Sequence, residues 1–302
     1  MIRALCTGLL VVVLAAALWG EDHLIKVDVD LVNVYLTVSN ARGQLVTNLK
    51  RDNFTIFEDS AQQVITNFSR ETDVPLTIAL VIDTSGSVKD KLQFEKQAAI
   101  SFLDAMLKPN HDKAAVFTFD SSIDLQQDFT DDSSRLAKAV IHTRAGGGTR
   151  LYDALTTVMQ QKFTGNDERK VIVLLTDGDD NSSRSSVQQV VAAAQLDGVT
   201  IYAISMNALG LRSDDSDRGD RILKKITNET GGEAFFPVKI KDLPAQFKRI
   251  TEELRSQYTI AYRSTNPKKD GTFRKIQIGV KNQRYSIRTR PGYYAPVAVA
   301  AR

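Results

Sequence analysis

The stretch Leu80-Val81-Ile82-Asp83-Thr84-Ser85-Gly86-Ser87 gives the strongest indication of how this chain folds. It ends an apolar run, residues 75–82, and a long amphipathic segment follows it at once. Apolar runs of this length, bounded by turn residues, are typical of a buried parallel strand. The carboxylate of Asp83 and the hydroxyls of Ser85 and Ser87 therefore lie in a tight loop at the carboxyl end of a core strand, where open α/β sheets bind their ligands,. Such oxygens suit Mg²⁺, Mn²⁺ or Ca²⁺ rather than Zn²⁺ or Cu²⁺.

Two later stretches have the same form. Residues 146–149, Gly-Gly-Gly-Thr, make a glycine-rich loop that opens a helix. Residues 171–175 make another buried strand, which ends in Thr176-Asp177-Gly178. The three pieces in this order, each after the right kind of element, resemble the von Willebrand factor A domain with its metal-ion-dependent adhesion site (MIDAS). The resemblance covers about residues 75–256.

The resemblance implies a fold, a metal site and a function. The expected fold is α/β, a doubly wound and mostly parallel sheet of the Rossmann-like kind. The implied cofactor is Mg²⁺, or Mn²⁺ or Ca²⁺, held directly or through water by Asp83, Ser85, Ser87, Thr149 and Asp177. Gly148, Asp179 and Asp180 are candidate residues of a ligand-binding rim beside Asp177, although a solvated loop is the better interpretation of Asp179 and Asp180. The implied function is a metal-dependent protein-binding module that captures an Asp or Glu carboxylate of its partner.

Each loop also has a purely structural interpretation. Ser and Asp residues are favoured at helix N-caps, which could account for residues 83–87 and for Thr149. Asp177-Gly178 could be an ordinary turn. The structural interpretation requires three unrelated caps and turns to match the motif by coincidence, so the joint pattern favours the metal site.

Two other functions remain as alternatives to a binding module that is not an enzyme. A bound ion could support hydrolysis of phosphate esters, with Ser85 or Asp83 as nucleophile. Against this, the motif loops contain no histidine or lysine except Lys89, which the helix phase carries away from the site. The second alternative is a structural envelope protein whose site is not used.

Length and composition limit the other possibilities. A chain of 302 residues with 42% apolar and 25% charged residues can bury a full core,. It fits one domain of about 180 residues with a smaller partner. The net charge of +3 is small, and no Lys/Arg cluster interleaves with aromatic residues, so we expect no nucleic-acid partner,.

Residues 1–20 differ from the rest of the chain. Arg3 precedes an apolar run, residues 9–18, and small residues at 15–17 or Gly20 offer a cleavage point. We interpret this segment as a secretory signal peptide rather than an uncleaved anchor. The only cysteine, Cys6, lies within it, and no later apolar stretch has membrane length. We therefore expect an exported protein with no membrane span in the mature chain, located in a bacterial periplasm, in the cell envelope or outside the cell.

The two flanks of the A domain are predicted to be β-rich. Alternating apolar and polar residues predict strands in residues 21–73, and three more strands in residues 257–295 precede a short tail, residues 296–302,. Neither set can bury two faces alone, so we expect one small β-sandwich with the A domain, residues 74–256, inserted in it. Residues 27–34 and 290–294 are similar to the opening and closing strands of bacterial secreted von Willebrand A-related proteins. Tyr293 and Tyr294 are expected to pack in this sandwich.

Strand and helix patterns alternate between the flanks. Leu92, Ala99, Phe102, Leu103 and Met106 recur at helical spacing and predict a helix over residues 89–107,. Residues 123–129 are expected to pair with strand 114–119 as an antiparallel edge. Further helices are expected over residues 134–143, 151–163, 187–196, 221–229 and 243–255, and further strands over 199–205 and 234–238.

Three other features carry less weight in the sequence. Arg218-Gly219-Asp220 is the tripeptide that integrins recognise, and we place it in a polar loop, where a chance occurrence is the better interpretation. His111 and His142 are isolated and lack zinc spacing,.

Overall fold

The computed structural model describes residues 31–70, 74–163, 169–207, 214–281 and 284–297. The predicted signal peptide and the beginning of the first predicted strand lie outside these ranges. None of the described helices combines the length and the hydropathy that crossing a bilayer requires.

The elements form three groups along the chain. The first group contains β1 (Leu31–Ser39), β2 (Phe54–Glu58), β3 (Ala61–Gln63) and β4 (Ile65–Ser69). The central group contains β5 (Leu76–Asp83), α1 (Leu92–Met106), β6 (Lys113–Phe119), β7 (Ile123–Thr130), α2 (Ser133–His142), α3 (Leu151–Lys162), β8 (Arg169–Thr176), α4 (Val187–Asp197), β9 (Thr200–Ser205), α5 (Asp214–Thr230), β10 (Ala234–Phe235) and α6 (Leu243–Leu254). The last group contains β11 (Tyr258–Arg263), β12 (Phe273–Val280), β13 (Ser286–Thr289) and β14 (Gly292–Tyr294).

The central group builds a six-stranded sheet with the order β10-β9-β8-β5-β6-β7. The strands are parallel except β7, which pairs antiparallel with β6 as predicted. From β5 the chain first adds β6 on one side and later β8 on the other. The carboxyl ends of β5 and β8 therefore flank the point where the strand order reverses, which is the usual ligand position in such sheets. The predicted α/β fold is confirmed.

Helices cover both faces of this sheet. Leu80 and Ile82 of β5 lie in one apolar core with residues of α1, α2 and α6. Ala79 and Val81 of the same strand lie in a second core with residues of α3, α4 and α5. All eight residues of β5 are buried, because alternate side chains enter the two cores,.

Capping residues mark the start of α2 and the end of α4. The Asp132 carboxylate accepts hydrogen bonds from the backbone N–H groups of Ser134 and Arg135 and caps α2,. Gly198 adopts a left-handed conformation with φ 68° and ends α4,.

The flanking strands come together in two antiparallel four-stranded sheets, β13-β1-β11-β4 and β14-β12-β2-β3. Both ends of the chain contribute to each sheet, and the two sheets share one core that includes Leu36, Ile56, Tyr262 and Tyr293. The ring of Tyr294 packs edge-on against Phe273 at 5.3 Å. The predicted sandwich of N- and C-terminal strands is confirmed, whereas the proposed domain limits at 73/74 and 256/257 remain predictions.

A buried polar group connects the sandwich to the central sheet. The Glu253 carboxylate of α6 accepts hydrogen bonds from Tyr202 of β9 at 2.8 Å and from Thr37 of β1 at 3.1 Å. Arg288 of β13 also donates to Glu253, and it pairs with Glu233 at 3.0 Å. The sandwich and the central sheet are therefore held together by hydrogen bonds and an ion pair to the buried Glu253 carboxylate, as well as by packing.

Three predicted boundaries are wrong. Helix α1 begins at Leu92, after a single 3₁₀ turn over Gly86–Val88. Helix α5 begins at Asp214 instead of residue 221. Its first residues are acidic, which suits the first turn of a helix. The helix was predicted from apolar periodicity, to which these acidic residues add nothing. Strand β10 ends at Phe235, since Pro237 cannot donate a ladder hydrogen bond,.

Candidate metal centre

The carboxylate of Asp83 is fixed by both strands at the point of reversal. Asp83 ends β5, and its side chain is fully buried. One oxygen accepts a hydrogen bond from the backbone N–H of Ser85 at 2.9 Å, and the other accepts one from the hydroxyl of Thr176 at 2.6 Å. Because Thr176 ends β8, this second bond joins the ends of the two neighbouring strands.

A chain of short hydrogen bonds continues from this loop to the next. The hydroxyl oxygens of Ser85 and Ser87 lie 3.0 Å apart. The Ser87 hydroxyl then donates to Oδ2 of Asp177 at 2.6 Å, and Oδ1 of Asp177 accepts from the backbone N–H of Asp179 at 3.1 Å. Four of the five predicted metal ligands are thus in contact, with their oxygens concentrated in one place.

The glycine-rich loop before Thr149 lies against both of the other loops. The Gly146 N–H donates to the Thr84 carbonyl at 2.7 Å, and the Gly147 carbonyl accepts from the Gly86 N–H at 3.3 Å. Thr149 is buried, and its N–H donates to the side-chain carbonyl of Asn181 at 2.9 Å. The fifth predicted ligand is therefore carried by a loop that bonds to the loops of the other four.

Negative charge accumulates at this edge of the sheet. Burial raises the pKa of Asp83 to about 7, and repulsion from Asp177 adds to the effect, although hydrogen bonds from Thr176 and Ser85 oppose it. A carboxyl group in this position favours a counter-charge, and a divalent cation supplies the strongest one available.

The central part of the chain matches the model of a known protein family. The family model of the von Willebrand factor type A domain matches residues 77–253. The chain belongs to the von Willebrand factor type A (VWA) domain family. A search of curated proteins finds no match to the chain.

Solved structures show the same VWA fold. Proximal thread matrix protein 1 from the mussel byssus is 20% identical, with a TM-score of 0.53 over 66% of this chain and 51% of that chain. Another structure of the mussel protein, with a zinc-occupied MIDAS motif, has 20% identity and a TM-score of 0.52 over 65% of this chain and 49% of that one. This chain thus spans about half the length of the mussel protein.

A bacterial VWA structure matches over more of the sequence. The von Willebrand factor type A protein from Catenulispora acidiphila is 16% identical, with a TM-score of 0.52 over 80% of this chain and 75% of that chain. Identities this low show the fold alone.

Two of the three predicted rim residues make hydrogen bonds to other parts of the protein. The Gly148 N–H donates to the Ser121 hydroxyl at 2.7 Å. The oxygens of Asp180 accept from the backbone N–H groups of Tyr152 and Ser183, both at 3.1 Å. Asp180 therefore stabilises the start of α3, while rim roles for Gly148, Asp179 and Asp180 remain predictions.

The residues present fit a hard divalent ion. Two carboxylates and three hydroxyls are oxygen ligands of the kind that Mg²⁺, Mn²⁺ and Ca²⁺ prefer. The described ranges contain no group of three His, Cys, Asp or Glu side chains arranged to hold a metal. An ion at this edge of the sheet would therefore depend on the hydroxyls of Ser85, Ser87 and Thr149.

The support of the Asp177 loop was not predicted from the sequence. The side-chain amide of Asn207 donates to the Asp177 carbonyl at 2.5 Å and to the Asp220 carboxylate at 3.0 Å. Asp220 also accepts from the Ser205 hydroxyl at 2.7 Å. A Cβ on Gly219 would lie 2.3 Å from the Asp177 carbonyl oxygen, so α5 approaches this loop at a residue without a side chain. The available signal was Ser205 and Asn207, two polar residues at and just after the end of another central strand.

The Arg218-Gly219-Asp220 tripeptide therefore has a structural role. The sequence places it in a loop, but it lies in α5, and Asp220 is buried. An integrin-type ligand must present its aspartate to solvent, so the structure contradicts a ligand role for this tripeptide.

The Nζ of Lys91, which no sequence motif singles out, donates to the Met206 carbonyl at 2.7 Å. His111 bonds to Asp112 at 3.0 Å, and His142 bonds to the Lys138 carbonyl at 2.6 Å. Neither histidine joins the candidate metal centre.

Proposed function

We propose that this VWA domain holds a divalent ion in a working MIDAS and uses it to bind an acidic residue of a protein partner. The observation that carries the proposal is the continuous set of hydrogen bonds from Asp83 through Ser85 and Ser87 to Asp177. It concentrates two carboxylates and two hydroxyls at the reversal point of the sheet. Together with Thr149, these residues would hold the ion.

The charge of the site explains why it would bind a carboxylate. Asp83 and Asp177 balance the two positive charges of the ion, and the hydroxyls of Ser85, Ser87 and Thr149 add ligands without adding charge. A near-neutral centre can still attract an Asp or Glu side chain, whereas a centre built from four carboxylates would repel it. The ion supplies the positive charge that the partner recognises.

The identity of the ion is part of the proposal. The oxygen donors favour Mg²⁺, with Mn²⁺ and Ca²⁺ as substitutes. Zinc occupies the MIDAS of the mussel protein, so Zn²⁺ belongs among the ions to be compared.

Export is also part of the proposal. The apolar run of residues 9–18 supports a secretory signal peptide, and a protein-binding domain would then meet its partner in a bacterial periplasm, in the cell envelope or outside the cell,.

The phosphoesterase alternative has less support than the binding module. Lys89 is exposed, and the Nζ of Lys91 bonds to the Met206 carbonyl, so neither lysine is placed as a general base. VWA domains generally act as interaction modules, which favours a non-enzymatic function for this chain.

Selection of random peptides tests the proposal without a known partner. Peptides displayed on phage are bound to the immobilised protein in Mg²⁺ and eluted with EDTA. We expect the enriched peptides to share an Asp or Glu and to lose binding when that residue becomes Asn or Gln. Binding that persists in EDTA would contradict the proposal. So would hydrolysis of p-nitrophenyl phosphate by the parent that Ser85→Ala abolishes.

A further inference from the structure

Glu95 occupies a position in α1 that apolar side chains otherwise fill. The helix buries Leu92, Ala99, Phe102 and Met106 against the central sheet, and Glu95 lies on the same face at three- and four-residue spacing. Its side chain is 0% exposed. A carboxyl group has therefore been placed where the packing alone calls for a hydrophobic residue.

The carboxyl group of Glu95 also lacks the partners that other buried glutamates have. Among the described residues, neither of its oxygens accepts or donates a hydrogen bond. By contrast, Glu58 accepts from Tyr262 at 2.8 Å, and Glu253 accepts from Tyr202 at 2.8 Å. A buried carboxyl group without hydrogen bonds is strongly disfavoured, so the position of Glu95 calls for a compensating charge.

The two carboxylates that act on Glu95 belong to the candidate metal centre. Burial raises the pKa of Glu95 to about 8, repulsion from Asp83 and Asp177 adds to the effect, and Lys91 opposes it. Glu95 lies in the first turn of α1, the helix that follows the Asp83–Ser87 loop. The carboxyl group is thus within the field of the same ion that Asp83 and Asp177 would hold.

We propose that Glu95 is a third acidic group of the metal centre, whose buried carboxylate strengthens binding of the divalent ion without coordinating it. This inference rests on the proposed function. Direct coordination is not assigned, because the described residues include no three acidic side chains arranged to hold an ion together. With the ion bound and Asp83, Asp177 and Glu95 all ionised, their three negative charges would be balanced by the ion and Lys91. The centre stays near neutral and keeps its attraction for a partner's carboxylate.

The test compares Glu95→Gln and Glu95→Met with the parent. Gln keeps the shape and removes the charge, whereas Met suits the apolar surroundings if Gln disturbs folding. Glu252→Gln, at an exposed position of the neighbouring helix α6, is the matched control. Binding of Mg²⁺ and Mn²⁺ is measured by calorimetry at about pH 8.5, where Glu95 is mainly ionised. Thermal unfolding is measured in EDTA.

Both variants are expected to bind the ions about 10- to 100-fold more weakly than the parent, as loss of an indirect partner of a metal typically does. In EDTA they are expected to unfold at the same temperature as the parent or a higher one, and the control should match the parent throughout. Equal ion affinity in parent and variants would overturn the role of Glu95 while leaving the proposed function intact. No ion binding by the parent itself would overturn both.

Discussion

The hydroxyl of Ser87 donates a 2.6 Å hydrogen bond to the carboxylate of Asp177, although the two residues are 90 positions apart in the chain. Ser87 follows the central strand β5, and Asp177 follows its neighbour β8. This contact brings the first and third motifs of the sequence together at one edge of the sheet. Because of this contact, the loop after β5 and the loop after β8 can act as one metal centre.

Replacing Ser87 with Ala tests that contact. The variant loses a donor to Asp177 and a neutral ligand to the ion, so both metal affinity and metal-free stability should decrease. We expect a loss of about 1–2 kcal/mol in the free energy of unfolding, typical of a hydrogen bond to a charged group. Urea unfolding in EDTA and calorimetric titration with Mg²⁺ measure the two effects. Ser101→Ala, which removes an exposed hydroxyl bonded to the Gln97 carbonyl, is the control and should leave metal binding unchanged.

The stability of the metal-free protein should depend on pH through Asp83. An unfolded aspartate has a pKa of about 3.9, whereas burial first, and then Asp177, raise the folded pKa of Asp83 to about 7,. Between these values the folded protein binds more protons than the unfolded chain, so this contribution is greatest below the lower value and is lost as the pH rises through about 7.

The difference in unfolding temperature between parent and Asp83→Asn isolates this effect. In EDTA, the parent should lose stability relative to the variant by about 5 °C or more between about pH 5 and about pH 8. Excess Mg²⁺ should restore the parent at the higher pH, because the ion replaces the proton as counter-charge. A difference that stays constant with pH in EDTA would contradict the raised pKa.

The close approach of α5 to the Asp177 loop predicts that Gly219 is needed for metal binding. A Cβ at residue 219 would lie 2.3 Å from the Asp177 carbonyl oxygen, so Gly219→Ala must displace the loop or the helix. We expect a destabilisation of about 1–3 kcal/mol, with weaker binding of Mg²⁺, although no ligand has been changed. Gly146→Ala is the control, since a Cβ there meets nothing within 4 Å. Equal Mg²⁺ affinity in Gly219→Ala and Gly146→Ala would show that the position of the Asp177 loop does not affect metal binding.

The buried contact between Arg288 and Glu253 predicts that the sandwich stabilises the VWA domain. Arg288→Met would leave the Glu253 carboxylate, which is 3% exposed, without its cation. Removing one partner of a fully buried pair costs about 3–5 kcal/mol, and because Arg288 is 24% exposed we expect a smaller loss, about 1–3 kcal/mol, that changes little with salt,. Arg263→Met, at an exposed position of β11, is the comparison in urea unfolding. Equal losses of stability in Arg288→Met and Arg263→Met would show that the Arg288–Glu253 pair does not couple the sandwich to the VWA domain.

Much of this fold could be predicted because turn residues mark the ends of its strands. Asp83 and Asp177 each follow an apolar run, and their common location at the sheet edge is a consequence of parallel strands,. A buried position for Glu95 was not predicted, because helical periodicity assigns apolar residues to the buried face of a helix and charged residues to its exposed face. Asn207 was overlooked because its task, holding the Asp177 carbonyl, depends on how α5 folds back on the sheet.

The most direct test is a calorimetric titration of the purified protein with Mg²⁺ and with Mn²⁺, beside the Asp83→Asn variant. We expect saturable binding at one site in the parent and loss of that binding in the variant, because Asp83 is proposed as a central ligand of the ion. No binding by the parent, or equal binding by both proteins, would contradict it. The three loops would then be helix caps and turns, and this VWA domain would recognise its partner without a metal.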